Sequence, residues 1–181
     1  IAWSYSSLAT IHLELNDTLA AINYISKAVK TEPSNSEWYE RRGYFYLLAE
    51  QYDEALADFK KVMDMKPGMV SGFILTAEVY YRQEKYQEAL DLYKYANSLA
   101  ERAYIYAYMA MTENQLHHYE QAADYVMEAL QLENFQDDAV DLFDSQNEEL
   151  LDELLPRIKV QVAKNPNALE WKYYLLAIYD E

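Results

Sequence analysis

The chain has 181 residues, half of them hydrophobic (51%), with three glycines, four prolines, no cysteine and a net charge of −16. So few glycines and prolines leave little material for tight turns and favour helices, while the lack of cysteine excludes disulfides, thiolate metal sites and a cysteine nucleophile. The negative charge repels phosphates, which argues against nucleic acid and anionic lipid as partners, and no apolar run approaches the ~20 residues needed for direct membrane insertion.

Along the chain the first punctuation marks are Pro33 and Pro67, each closing an amphipathic stretch and 34 residues apart. A shift of that length aligns small residues in three columns. Ala9, Gly43, Ala77 and Ala110 form one; Ala21, Ala55, Ala89 and Ala122 the next; Ala28, Val62, Ala96 and Ala129 the third. Eleven of these twelve positions are Ala or Gly in a chain where about one residue in seven is, so chance is excluded. Bulky residues share the register, with Tyr5, Tyr39, Phe73 and Tyr106 in one column and Ile25, Phe59, Tyr93 and Val126 in another. Each column has intervals of 34, 34 and 33. The single deletion therefore falls between Ala96 and Tyr106, and a residue can be lost there without rotating a helix face only if that stretch is a turn.

Within a unit, apolar residues recur at the helical spacing of three and four. In the second unit Trp38, Tyr39, Gly43, Tyr46 and Leu47 fit one helix, and Ala55, Leu56, Phe59, Val62 and Met63 fit another. The polar stretch Glu50 to Asp53 turns the chain between them, and Lys66-Pro67-Gly68 stops the second helix. Residues 137–167 read as a degenerate pair. A short helix is expected from Asp138 to Asp144 with Val140 and Phe143 inward, followed by a stripe of Leu150, Leu151, Leu154, Leu155, Ile158 and Val162. Pro156 interrupts that stripe, so either a kink or a new helix is expected there. After Asn165-Pro166 a trailing helix occupies 168–181, where Glu170-Trp171 repeats Glu37-Trp38 and Tyr179 repeats Tyr46. This helix is either a cap or the first half of a further pair. The chain starts on isoleucine, and it is expected to be a segment of a longer protein.

These columns and closing prolines resemble the tetratricopeptide repeat (TPR) family, in proteins of bacterial type. The resemblance implies an all-α, right-handed superhelical solenoid of antiparallel helix pairs, a single array over 1–181. Its repeats would be 2–35, 36–69, 70–102 and 103–136. Departures from the family pattern are Arg42 where leucine is usual, His12 and Glu113 where tyrosine is usual, and Glu101 and Asn134 where proline is common.

Residues able to carry chemistry are sparse. His12 sits in an aromatic packing column, and His117 and His118 share the turn near Glu120 without a third ligand at suitable geometry. Three glycines cannot build a phosphate-cradling loop, and no nucleophile pairs recognisably with a base. No catalytic residue, metal or cofactor is expected, and the chain does not read as an enzyme.

The resemblance implies that the first helices of the pairs line a concave surface that holds a protein or peptide. By spacing, the face left open carries Trp3, Ser6, Thr10 and Leu13, then Glu37, Glu40, Arg41, Tyr44 and Leu48. Ile74, Leu75, Glu78 and Tyr81 follow, then Tyr104, Ala107, Tyr108 and Met111, and on the last helix Tyr173, Tyr174 and Ala177. Such aromatics offer large contact area at low entropic cost, although several could instead pack between neighbouring units. Glu37, Glu40 and Glu78, with a stretch from Ala103 to Pro156 that holds thirteen acidic residues and no lysine or arginine, favour a partner with apolar or aromatic anchors and basic residues. The lysine and asparagine clamp by which some family members grip a chaperone's C-terminal carboxylate is missing: its register holds Ser6, Thr10, Arg41, Ser71 and Leu75, so that class of peptide is not an expected partner. A second reading makes the array the sensing or scaffolding part of a larger regulator or carbohydrate-uptake assembly, with an aromatic groove that could stack sugars.

The columns themselves are testable. Replacing Ala89 with leucine should overpack a helix crossing and cost roughly 1–3 kcal/mol, read as a lower thermal midpoint by circular dichroism; an unchanged midpoint removes Ala89 from the crossing.

Overall fold

Helices are what this pattern produces. The computed structural model describes residues 1–132 and 148–179, so the helix expected at 138–144, with Val140 and Phe143, and the departure at Asn134 lie outside the described residues. The described residues form ten α-helices and no strand: α1 Ala2–Glu14, α2 Thr18–Thr31, α3 Ser36–Leu48, α4 Tyr52–Met65, α5 Val70–Arg82, α6 Tyr86–Leu99, α7 Ala103–Gln115, α8 Tyr119–Gln131, α9 Glu148–Lys164 and α10 Leu169–Tyr179. They fall into two units, Ile1–Lys85 and Tyr86–Glu181. In the first, α1 pairs with α2 and α3 with α4, while α2 packs on α3 and α4 on α5. In the second, α7 pairs with α8, α6 packs on α7, α8 on α9, and α9 on α10.

All twelve residues of the small columns are buried. Their role is clearest at Gly43: a Cβ built there would lie 2.6 Å from Cε1 of Phe59, a fully buried ring. Glycine in α3 and phenylalanine in α4 are thus one fitted pair, and the helix-propensity cost of glycine, ~1 kcal/mol, is offset by a close approach of the two backbones. The deletion falls where the intervals place it. Four residues (32–35 and 66–69) join α2 to α3 and α4 to α5, but three (100–102) join α6 to α7.

The turns inside the pairs show something that composition hides. Asn16, Glu50, Glu84 and His117 all have left-handed backbone, with φ between 58° and 60°, and they recur at the repeat spacing. Each turn closes with the same two bonds; in the first, the Asp17 N–H donates to the His12 carbonyl (2.8 Å) and the Asn16 N–H to the Leu13 carbonyl (2.9 Å). This is the helix-ending motif that normally recruits glycine. Here Asn16 and, less well, His117 suit it, while Glu50 and Glu84 carry a small steric cost.

α9 corrects one alternative. It runs unbroken through Pro156, which lies within it on an exposed face, so no new helix starts there. The missing N–H forfeits a bond to the Asp152 carbonyl at a position that water reaches. Inward, Leu150, Leu154 and Ile158 are buried against a core that includes Ala123, Met127 and Trp171.

The departure at Arg42 has a structural answer. Its guanidinium makes a two-pronged bond to Asp58, Nε to Oδ2 and Nη2 to Oδ1, both 2.7 Å, and lies near the rings of Tyr39 and Tyr46. The bond to Asp58 raises the Arg42 pKa above its ordinary value, so the guanidinium stays charged at every working pH. Asp58 is buried and Arg42 partly so. Removing only the acid strands the cation; Asp58→Ala should therefore destabilise the chain by about 2–3 kcal/mol in urea melts. The double variant with leucine at 42 and 58 should recover most of that loss.

Candidate partner-binding site

In the first unit, successive first helices contribute to one recess. α1 supplies Thr10 and Leu13, α3 supplies Glu40, Arg41, Tyr44 and Phe45, and α5 supplies Leu75, around a volume of about 390 Å³. Its lining surface is mostly apolar, and the two charged groups are held by their neighbours. Ser71 Oγ donates to Glu40 Oε2 (2.8 Å), and Arg41 Nη1 donates to Ser6 Oγ (2.8 Å). Fixing rotamers in advance lowers the entropic cost of binding.

Of the open face expected from spacing, Glu40, Arg41 and Tyr44 thus meet in one place, with Thr10, Leu13 and Leu75. Ser6 and Ile74 are buried rather than open. Trp3 is exposed and sets its edge against Trp38 at 4.8 Å between ring centres. The Glu37 carboxylate lies 3.6 Å from Arg41 Nε, and Glu78 takes a 2.8 Å bond from Arg82 Nε. Two of the three acids invoked for a basic partner are therefore already faced by an arginine. That bond raises the Arg82 pKa above its ordinary value. Tyr81 is half-buried.

In the second unit, Tyr104 is exposed and edge-on to Tyr108, which in turn stacks on buried Tyr93 at 5.3 Å. Tyr108 is therefore partly a packing residue. On α10, Tyr173 is exposed but Tyr174 is not: it is 2% exposed, edge-on to Trp171, and part of the unit's core. Tyr174 must be withdrawn from the open face, and burial raises its hydroxyl pKa. The side chain of Ala177 lies outside those described. Phe45 escapes the reading from spacing: it is buried and closes the recess beside Tyr44, but its column (Ile11, Val79, Thr112) reads as plain packing.

The histidines find local partners. His12 stacks on Tyr24, His117 Nδ1 meets the Tyr119 hydroxyl at 2.8 Å, and His118 Nδ1 meets Glu113 Oε2 at 2.9 Å. Among the described residues no three His, Asp or Glu side chains are grouped to hold a metal, and none of the described helices is long and apolar enough to cross a membrane.

Comparison with known proteins agrees with this architecture. The pattern of the family described as "Tetratricopeptide repeat" matches residues 7–70 and 51–106. The chain belongs to that family. Among curated relatives it is 27% identical over 77 residues to a Bos taurus SGT1 homolog (42% of this chain, 23% of that protein). It is 30% identical over 93 residues to the mitochondrial import receptor subunit TOM70 of Saccharomyces cerevisiae (51% and 15%), and 33% over 96 residues to the Bos taurus peptidyl-prolyl cis-trans isomerase FKBP4 (52% and 20%). The chain thus spans less than a quarter of each, and import and isomerase activity are those proteins' own. Solved structures extend the likeness to the whole fold. TTC0263, a thermophilic TPR protein of Thermus thermophilus, has a TM-score of 0.67 at 22% identity, over 99% of this chain and 100% of that one. YrrB, a TPR protein with an unusual peptide-binding site, has a TM-score of 0.58 at 19% identity, over 86% and 82%. TPR proteins mediate protein–protein interactions, and the scaffold is typically non-catalytic.

The contrast between Tyr44 and Tyr174 can be measured. Tyr44→Ala should leave stability within about 0.5 kcal/mol of the parent, whereas Tyr174→Ala should cost about 3 kcal/mol, both by chemical denaturation.

Proposed function

We propose that this chain is a protein-interaction scaffold whose recess in the first unit receives an apolar or aromatic anchor of a peptide or protein partner, with a basic residue of the partner beside Glu40. The observation that carries the reading is the convergence of α1, α3 and α5 on one apolar recess rimmed by Glu40, Arg41 and Tyr44. Tyr44 offers an exposed ring at the rim, and ring faces are favourable seats for both apolar and cationic side chains. Glu40, though it already accepts one bond from Ser71, retains lone pairs for a second donor. Arg41 beside it limits the acidic character of the site and already faces Glu37, so selectivity for basic partners rests on Glu40 more than on a broad negative field. YrrB, with its peptide-binding site on a similar fold, lends support by analogy. On this reading Tyr104 and Tyr173 are further exposed contacts in the second unit, of secondary weight.

A random-peptide display selection against the immobilised 181-residue chain tests the proposal. Selected peptides should share an aromatic or large aliphatic residue near a lysine or arginine. Tyr44→Ala should weaken them at least tenfold without loss of helicity, and Glu40→Gln should relax the preference for the basic residue. Peptides that lack this pattern, or that bind both variants as well as the parent, would dismiss the recess as the site.

A further inference from the structure

The two charged side chains that line the recess are neighbours in sequence but lean apart. Successive residues on a helix do not face each other, and here each is drawn to a different flanking helix. Arg41 reaches back to α1, where its Nη1 donates to Oγ of buried Ser6 at 2.8 Å. Glu40 reaches forward to α5, where its Oε2 accepts from Ser71 Oγ at 2.8 Å. Both partners are neutral hydroxyls, so they hold the charges in place without cancelling them. They also occupy only part of what a guanidinium can donate and a carboxylate can accept. Glu37 stands 3.6 Å from Arg41 Nε, too far for a good hydrogen bond. The rest of the lining, Thr10, Leu13, Tyr44, Phe45 and Leu75, carries no charge. The recess is therefore polarised, positive toward α1 and negative toward α5, with a mostly apolar surface between.

We infer that the occupant of the recess is an extended segment with flanks of opposite charge: an acidic side chain toward α1, the apolar or aromatic anchor in the middle, and a basic side chain toward α5. The inference rests on the recess being the binding site, and adds to it a carboxylate of the partner for Arg41. The spacing fits an extended chain. Every second residue of such a chain faces the same side, so the anchor and the residues two before and two after it span about 13 Å. Packed helix axes lie roughly 8–10 Å apart, which puts charges that lean toward opposite neighbours of α3 within reach of the two outer side chains. Glu40 and Arg41 are both half-buried, so water screens them less than it would on an open surface. A segment basic on both flanks would gain at Glu40 but meet a like charge at Arg41. That separates this site from a groove that is simply acidic. Arg41 is flanked by Ser6, Thr10 and Ser71 rather than by lysines and asparagines, so the group it fits is one side-chain carboxylate and not a chain end.

The test uses short peptides, acetylated and amidated to remove their terminal charges. Each has a central tryptophan with a serine on either side, and only the outer pair varies: Asp and Lys, Lys and Lys, Asp and Asp, or the neutral Asn and Gln. They are titrated into the isotope-labelled 181-residue chain and followed by amide chemical shifts. The Asp and Lys peptide should bind tightest, each charge adding about two- to fivefold over the neutral peptide. Arg41→Gln should erase the gain from Asp and keep the gain from Lys, and Glu40→Gln should do the converse. Suppose instead that the neutral or the doubly basic peptide binds as tightly as the Asp and Lys one, and Tyr44→Ala weakens it. The inference is then overturned while the recess stands as the site. A gain from Asp that survives Arg41→Gln has the same meaning. If no peptide binds, or all bind Tyr44→Ala as well as the parent, the recess itself fails and the inference falls with it.

Discussion

Two helices can approach closely only where neither side chain stands between them, and that constraint organises this chain. The small columns mark the crossings, and every other position takes its meaning from its angle to them. Once Gly43 lies against the Phe59 ring, α3 cannot rotate on α4 without opening a void or driving carbon into carbon. The remaining faces of α3 are then assigned. Trp38 and Phe45 turn toward α2, and Glu40, Arg41 and Tyr44 are left for the recess. Binding geometry here is a by-product of packing geometry.

Electrostatics adjusts this scheme locally. The acid-only stretch would be self-repelling if it stood alone, but cations from its flanks reach into it. Lys94 Nζ lies 3.6 Å from buried Glu113, and Arg157 bonds both Asp124 and the Glu120 carbonyl at 3.1 Å. His118 holds the other oxygen of Glu113. The carboxylate that replaces the family's tyrosine at 113 is therefore partnered within its own unit. In the first unit Arg41 and Arg82 do the same for Glu37 and Glu78. Net charge overstates how acidic the candidate surface is.

Much of the fold is legible in the sequence because a period repeated four times averages away local noise. The helices of the first four units, their crossings and the turn that lost a residue follow from intervals of 34, 34 and 33, and the restart at Leu169 follows from Glu170-Trp171 repeating Glu37-Trp38. What stays hidden depends on single contacts that no period encodes. Nothing in the identities of Glu50 and Glu84 announces left-handed backbone. The turn forces it because the bonds from 51 to 46 and from 50 to 47 must close. Spacing puts Tyr174 on the open face by analogy with the array. The core of α8, α9 and α10 takes it in instead, where its ring stands edge-on to Trp171. Arg42 is visible as an anomaly, but its partner sixteen residues away is a helix-to-helix match that spacing alone does not single out.

That match has a consequence for how the chain finds its fold. Repeats that share their crossing residues carry a standing hazard, since each first helix offers similar small and bulky columns to each second helix, and wrong couples can form early. Arg42 and Asp58 act as an address on α3 and α4. The place of Asp58 is taken by Tyr24, Leu92 and Tyr125 on α2, α6 and α8. A guanidinium docked against any of these would be stranded, and so would Asp58 against a first helix other than α3. One ion pair thus sets the α3–α4 couple apart from every other pairing that the shared columns would allow.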